Sequence, residues 1–339
     1  MLAESDVSIA RKVEVLREPS SYAHRPPTVD VVETHVSWVF LAGDLVYKLK
    51  KPVRNRYFDF TTAAKRKTNG DDEVRLNRRL SPEVYLGLAT LTLGRGGTLA
   101  LNGSGPVVDW LVVMRRLPAA RMLDRMLAGG QVSAAEIDRV AATLGRFYAA
   151  AARADITARD YVRHFGEMQV QNRRVIHQVL SGDELTTAED TLVRLDAAIV
   201  AHAATLARRV ADGRVVDGHG DLRPEHICLT EPVAIFDCLE FNGALRRVDP
   251  LDEIAFLGME CRLIGAPAFG RELARRVLGH LEETPDWGLF AFYAGFRAVL
   301  RARLSLAHLL DPAPREAGRW RPQANRYFAL ARDHLAGHT

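Results

Sequence analysis

The chain has 339 residues, enough for two lobes that each bury a core of their own. Apolar residues make up 47% and charged residues 26%, which excludes the disordered and collagenous classes. The 46 basic and 42 acidic residues leave a net charge of +4, spread along the chain with no basic block interleaved with aromatics, so nucleic acid is not an expected partner.

Cys228, Cys238 and Cys261 form no metal-ligand spacing, and so sparse a set suits a reducing cytoplasm. The first residues contain no apolar run of the signal-peptide kind, and nowhere do about 18 apolar residues follow one another. The expectation is a cytoplasmic protein without a membrane segment.

In chain order, Val29–His35 and Ser37–Gly43 are short runs rich in β-formers, Gly43-Asp44 is a turn, and "LVYKLKK" follows with period-two alternation. A helical pattern runs from Thr62 to Leu80 and stops at Ser81-Pro82, with Gly70 as its expected point of weakness. "LATLTLG", "TLALNG" and "VVDWLVVMRRL" predict three more strands, and "GRGG" and "GSG" between them are hairpin turns rather than phosphate cradles. No GxxxxGKS/T occurs. After Pro118 the character changes. Ser133 to Glu136 is a capping box opening a helix to about Arg153, followed by helices over Ala158–Leu180 and Thr186–Val210. Short strands interrupt at Val215–Asn242, and helices return from Pro250 to about Leu335. The division expected is residues 1–117, a sheet with one main helix, and residues 118–339, mainly helical, with a cleft between them.

The segment "VVDGHGDLRPEHICLTEPVAIFDCLEFN" places chemistry among apolar strands. Two short strands form a hairpin, with Asp221 in the loop before it and Asp237 at its far end. A hairpin brings its outer ends together, so both carboxylates are expected to face one pocket. Two acids converging there repel each other unless a cation joins them.

"HGDLRPEH" resembles the catalytic loop of protein kinases, H-R-D-L-K-P-E-N, and more closely the H-G-D form of the aminoglycoside phosphotransferase and choline kinase-like group. "IFD" resembles the strand that carries that superfamily's metal-binding Asp. "ETHVSWVFLAGDLVYKLKKP" and "EVRLNRRLSPEVY" are similar to a bacterial aminoglycoside phosphotransferase-like branch, some members of which carry an additional P-loop domain. The resemblance covers roughly Val29 to Gly258. It implies an α+β, two-lobed protein kinase-like fold: a small antiparallel-sheet lobe with one main helix and a larger, mainly helical lobe. It also implies ATP, Mg²⁺ (or Mn²⁺) and a small hydroxylated acceptor such as an amino sugar, sugar, aminocyclitol or aminoglycoside.

The same resemblance assigns roles. Asp221 takes or orients the proton of the attacking hydroxyl, and Arg223, where protein kinases have a Lys, reaches the transferring group. Asp237 holds the metal. His226 stands five residues after Asp221, where kinases have Asn. Either it binds metal through water, or the site tolerates Mn²⁺ better, or the second metal is missing, or His226 only hydrogen-bonds within the loop. Lys48, with Lys50 as the fallback, binds phosphate and pairs with Glu73, which shares an inward helix face with Leu76 and Leu80. Thr34 and Ser37 occupy the phosphate-covering turn, though a plain β-turn explains them as well. Met114 and Arg115 lie where the lobes join and meet adenine. Glu240 and Asp252 fall on the acceptor side, while Asp249 reads as a helix N-cap before Pro250. His219 braces the loop above Gly220.

A small-molecule kinase is the leading reading. A protein Ser/Thr kinase is disfavoured by the lack of DFG and A-P-E segments after Asp237. A nucleotide-binding pseudokinase has His226 as its best argument and the presence of Asp221, Asp237 and Lys48 against it, and a metal phosphoesterase would release phosphate without ATP specificity.

Overall fold

The computed structural model describes residues 7–55, 57–311 and 316–336. They divide into two compact units: residues up to Met122 together with His226–Ala244, and Leu123–Glu225 together with Leu245 onward.

The first unit begins with helix α1 (Ile9–Arg17), capped by the Ser8 hydroxyl accepting from the Arg11 N–H. Strands β1 (Val29–Glu33), β2 (Ser37–Ala42) and β3 (Leu45–Lys50) form a meander. After helix α2 (Ala63–Asn77) come β4 (Tyr85–Leu93), β5 (Leu99–Leu101) and β6 (Val107–Arg115). The six strands make one antiparallel sheet in the order β1-β2-β3-β6-β4-β5. Its two faces bury different things. Tyr47 and Leu49 of β3 join Leu16, Tyr22, Phe40, Leu91 and Leu111 in the main core. Alternation along β3 sends Lys48 and Lys50 to the other face, where α2 packs.

Helix α2 starts at Thr62, whose hydroxyl accepts from the Lys65 N–H. It runs unbroken through Gly70, where the sequence suggests weakness. A Cβ there would stand 3.0 Å from Leu88 Cδ2, so the missing side chain lets the helix lie close on β4. Arg66 of α2 forks onto Asp109 of β6 with two 2.8 Å bonds, and Lys12 of α1 meets the same carboxylate at 2.7 Å. All three are buried, a charge cluster that ties both helices to the sheet.

The second unit is helical. It comprises α3 (Leu123–Ala128), α4 (Ala134–Ala150), α5 (Ala158–Val179) and α6 (Gly182–Ala211). Strand β7 (Val216–Asp217) follows. The chain then visits the first unit for a hairpin, β8 (Ile227–Cys228) and β9 (Ala234–Ile235). It returns as β10 (Arg247–Val248), antiparallel to β7. Helices α7 (Pro250–Leu263), α8 (Pro267–His280), α9 (Trp287–Ala307) and α10 (Ala317–Leu335) complete it. Ser133 and Glu136 form the expected capping box of α4. Helix α7 crosses α8 at Gly258 and Gly270, where a Cβ on Gly270 would stand 2.4 Å from the Gly258 Cα. Among the described residues no helix is long and apolar enough to cross a membrane. The three cysteines are buried and form no disulfide.

Candidate active site

In the first unit the chemistry gathers around Glu73, whose side chain is fully buried. Lys48 donates to Glu73 Oε1 at 2.9 Å, and Lys50 Nζ lies 2.6 Å from Oε2. Each lysine also carries a second acid: Lys48 donates to Asp237 Oδ1 at 2.9 Å, and Lys50 to Glu240 Oε1 at 2.7 Å. Neither lysine is left over, since both meet Glu73 and each has a second acid. Lys48 and Lys50 differ in access, with side-chain exposures of 14% and 3%. Glu240, expected on the acceptor side, is the acid partner of the buried lysine.

Burial works against every charge in this cluster, and the neighbours overturn it. Desolvation would lower Lys48, but Asp237, Glu73 and Glu240 hold its pKa well above the ordinary lysine value. Desolvation would raise Asp237, but the Lys48 ammonium, with His226 and Lys50 behind it, keeps the carboxyl well below the usual range. Glu73 is likewise held low, by Lys48 and Lys50 against its burial. All three are therefore charged at neutral pH. Asp237 keeps a side-chain exposure of 42%, and its backbone has φ +59°, the left-handed region that few non-glycine residues occupy.

His226 Nε2 lies 3.6 Å from Asp237 Oδ2. A carboxylate oxygen that is ionised and open to solvent is a hard donor suited to Mg²⁺, while an imidazole nitrogen beside it tilts preference toward Mn²⁺. The donor set fits a divalent cation at Asp237.

Thr34 closes the β1–β2 turn on itself: its hydroxyl donates to the Ser37 C=O at 3.0 Å and accepts from the Ser37 N–H at 2.9 Å. Ser37 is fully buried. Met114 pairs in register with Val46 and Tyr85, and the Arg115 N–H donates to the Val84 C=O at 2.9 Å.

In the second unit the loop after β7 carries Asp221. The Asp221 N–H donates to His219 Nδ1 at 3.2 Å, and Gly220 turns with φ +89°, so His219 does brace the loop. Arg223 Nε lies 3.6 Å from Asp221 Oδ2, and its NH2 lies 2.6 Å from Glu225 Oε1. The anchor of this loop is Glu253, which sequence reasoning passed over. Its buried carboxylate accepts from the His219 N–H at 3.0 Å, the Gly220 N–H and the Tyr148 hydroxyl at 2.9 Å. A Cβ on Gly218 would stand 2.7 Å from Glu253 Oε2, so only glycine admits the carboxylate. The signal available was its place in "DPLDE", one helical position beyond the acids that were weighed.

Asp249 caps α7 as expected, accepting from the Leu251 N–H at 2.9 Å, and it also receives a fork from Arg209 at 2.6 and 2.7 Å. Asp252, expected on the acceptor side, is 3% exposed, with both oxygens committed to Arg297 at 2.7 and 2.6 Å.

A six-stranded antiparallel sheet with a single helix across its lysine-bearing face, joined to a mainly helical unit, has close counterparts among solved structures. The fold is the two-lobed, protein kinase-like α+β fold. The chain is similar to a choline/ethanolamine kinase family protein from Mesorhizobium loti, with TM-score 0.56 and 16% identity over 96% of this chain and 98% of that one. It is similar to a glucosamine kinase solved with glucosamine, ADP and inorganic phosphate, with TM-score 0.50 and 16% identity over 97% of this chain and 86% of that one. It is 32% identical over 318 residues, 91% of its length, to an uncharacterized protein of Mycobacterium tuberculosis. The chain spans 60% of the length of that relative. No protein-family profile matches the chain.

Proposed function

We propose that this chain binds ATP with a divalent cation and transfers the γ-phosphoryl group to a hydroxyl of a small molecule. The observation that carries the reading is the Glu73–Lys48–Asp237 chain of charges: a buried helix acid fixes a strand lysine, which in turn faces an ionised, solvent-open Asp in a left-handed backbone. Phosphoryl transfer asks for positioning and charge stabilisation, and this arrangement supplies both.

Lys48 is the phosphate-binding lysine, because it keeps some exposure while Lys50 is buried between Glu73 and Glu240. Asp237 holds the metal, with His226 beside it. A bound divalent cation supplies charge neutralisation at the phosphate oxygens. Asp221 orients the acceptor hydroxyl and takes its proton, held by the His219 brace and the Glu253 anchor. Arg223 offers a fixed positive charge to the transferring group. The adenine contacts fall to the Met114–Arg115 backbone.

The acceptor is a sugar, amino sugar or aminocyclitol. The charges that bear on Asp221 include Arg223 and Arg301, and the nearby Glu260 already pairs with Arg301 at 2.8 Å and accepts from the Tyr327 hydroxyl at 2.9 Å. So balanced a neighbourhood favours a weakly charged acceptor over a polycation. The mesorhizobial and glucosamine kinase structures share the fold, which is compatible with such an acceptor.

The test is ADP formation and product mass across hydroxylated small molecules, with Asp221→Asn alongside the unaltered protein. The expected result is turnover on one acceptor class, lost by 10³-fold or more, in order of magnitude, in Asp221→Asn with ADP affinity retained. ADP binding by both proteins with turnover by neither would make the chain a nucleotide-binding module instead.

A further inference from the structure

We propose that Asn77, Ser81 and Tyr85 are positioning residues that set the aim of the Asp237 carboxylate; this rests on the metal-binding role given to Asp237 above. All three side chains are almost wholly buried, with exposures of 0%, 4% and 1%. None touches that carboxylate in the hydrogen bonds they make here. They grip the backbone that carries it. The Ile235 N–H donates to Ser81 Oγ at 2.8 Å, and the Ser81 hydroxyl donates back to the Ile235 C=O at 2.7 Å. The Asp237 N–H donates to the Tyr85 hydroxyl oxygen at 3.2 Å, and the Cys238 N–H to Asn77 Oδ1 at 2.8 Å. The remaining N–H of the segment, at Phe236, donates to the His226 C=O at 3.0 Å. Every amide from Ile235 to Cys238 is thereby paired, three of them by side chains from one short run.

That run begins at the end of α2, the helix that carries Glu73, and Asn77 Nδ2 donates to the Glu73 C=O at 2.8 Å. The frame for Asp237 and the acid partner of Lys48 are thus one piece of structure. A left-handed, non-glycine residue persists only where its surroundings over-determine it, and this clamp is what over-determines Asp237. The clamp acts on where the carboxylate points and leaves its charge alone. Loosening it should therefore weaken metal-dependent nucleotide binding and spare the metal-independent part.

The experiment is calorimetric binding of ADP across a Mg²⁺ titration and again in EDTA, for the full chain and for Tyr85→Phe, Ser81→Ala and Tyr22→Phe. Tyr22 is the control: it is equally buried in the same unit, and its hydroxyl donates to the Leu16 C=O at 2.6 Å. Tyr85→Phe and Ser81→Ala are each expected to raise the Mg²⁺ midpoint by about tenfold, the scale seen when partners that orient a metal ligand are removed. Their ADP affinity in EDTA is expected to stay within about twofold. Tyr22→Phe should lower the melting temperature and leave the Mg²⁺ midpoint alone. Metal-dependent binding in the unaltered protein with the same midpoint in Tyr85→Phe, or an equal shift in Tyr22→Phe, would overturn the clamp alone. ADP binding by the unaltered protein that ignores Mg²⁺ would overturn the metal role of Asp237 and the clamp with it.

Discussion

The two units each secure an acidic segment, and they do so with opposite materials. In the first, the strand-end segment bearing Asp237 is held by neutral side chains, and the charges lie in the Lys48–Glu73–Lys50 cluster beside it. In the second, the loop bearing Asp221 is held by a charge, the buried Glu253, acting on backbone amides. In both cases the grip falls on the main chain, so the carboxylates proposed to meet substrate and metal are not consumed in being held. The difference lies in vulnerability. Glu253 is held by three donors, with the Arg297 charge acting from further off, whereas Glu73, Asp237 and Glu240 are each matched by an ammonium in contact.

Removing the anchor should give the largest effect. Glu253→Ala leaves the His219 and Gly220 amides and the Tyr148 hydroxyl without their acceptor in a buried site. The expected loss is about 4 kcal/mol in urea unfolding, since each unsatisfied donor costs about 1–3 kcal/mol and the losses overlap. Unchanged stability would mean that the loop holds itself and the contrast is false.

Acid should separate the units next. His334, on α10, is buried with neither ring nitrogen hydrogen-bonded, and burial followed by Arg262 pushes its pKa down from 6.5 to about 4. The unfolded chain takes that proton first, so stability is intact above pH 6.5 and falls as pH drops toward 4. The loss is on the order of 3 kcal/mol for the second unit, and His334→Phe should flatten it. Across the same window the first unit's cluster holds. Asp237 and Glu73 titrate below the ordinary carboxylate range, so their contribution is lost only as pH falls through those lowered values. The contribution of Lys48 and Lys50, raised above ordinary lysine, is lost only as pH rises through their folded values. Hydrogen exchange resolved by segment, at pH 7 and pH 5, measures both units together.

The lysine pair gives the smallest effect and the finest distinction. Lys50→Met leaves Glu240 unpaired and Glu73 half-paired, so it should cost about 2 kcal/mol of stability with nucleotide affinity reduced only modestly. Lys48→Met should reverse the balance, with a lower stability cost and nucleotide affinity down by about tenfold or more. Equal profiles for the two variants would erase the division of labour between them.

Much of this was legible in the sequence where a local rule governed. Period-two alternation put Lys48 and Lys50 on one face, helical spacing turned Glu73 inward, and capping chemistry located Ser133 and Asp249. Helix α6 begins at Gly182 rather than Thr186, because its first turn is polar and lacks the apolar period that marks a start. The clamp on Asp237 was illegible, since Ser81 and Asn77 meet partners more than 150 positions away and a polar residue carries no sign of a distant amide. Lys50 was read as an alternative to Lys48 because one-dimensional spacing cannot show two ammonium groups sharing one carboxylate. Each tryptophan lies under a cation, which spacing along the chain could not show: Lys51 and Arg17 over Trp38, Lys67 over Trp110, Arg271 over Trp287 and Arg319 over Trp320.

The bare crossing of α7 over α8 reaches further than packing. With Gly258 and Gly270 touching main chain to main chain, the axis of α7 rests on its neighbour like a beam on a fulcrum, and Glu253 sits little more than one turn along that beam. A single methyl group at either glycine would meet the neighbouring main chain, so the helix that carries Glu253 could not keep this close an approach. Two residues with no side chain thus set how near that helix lies to its neighbour.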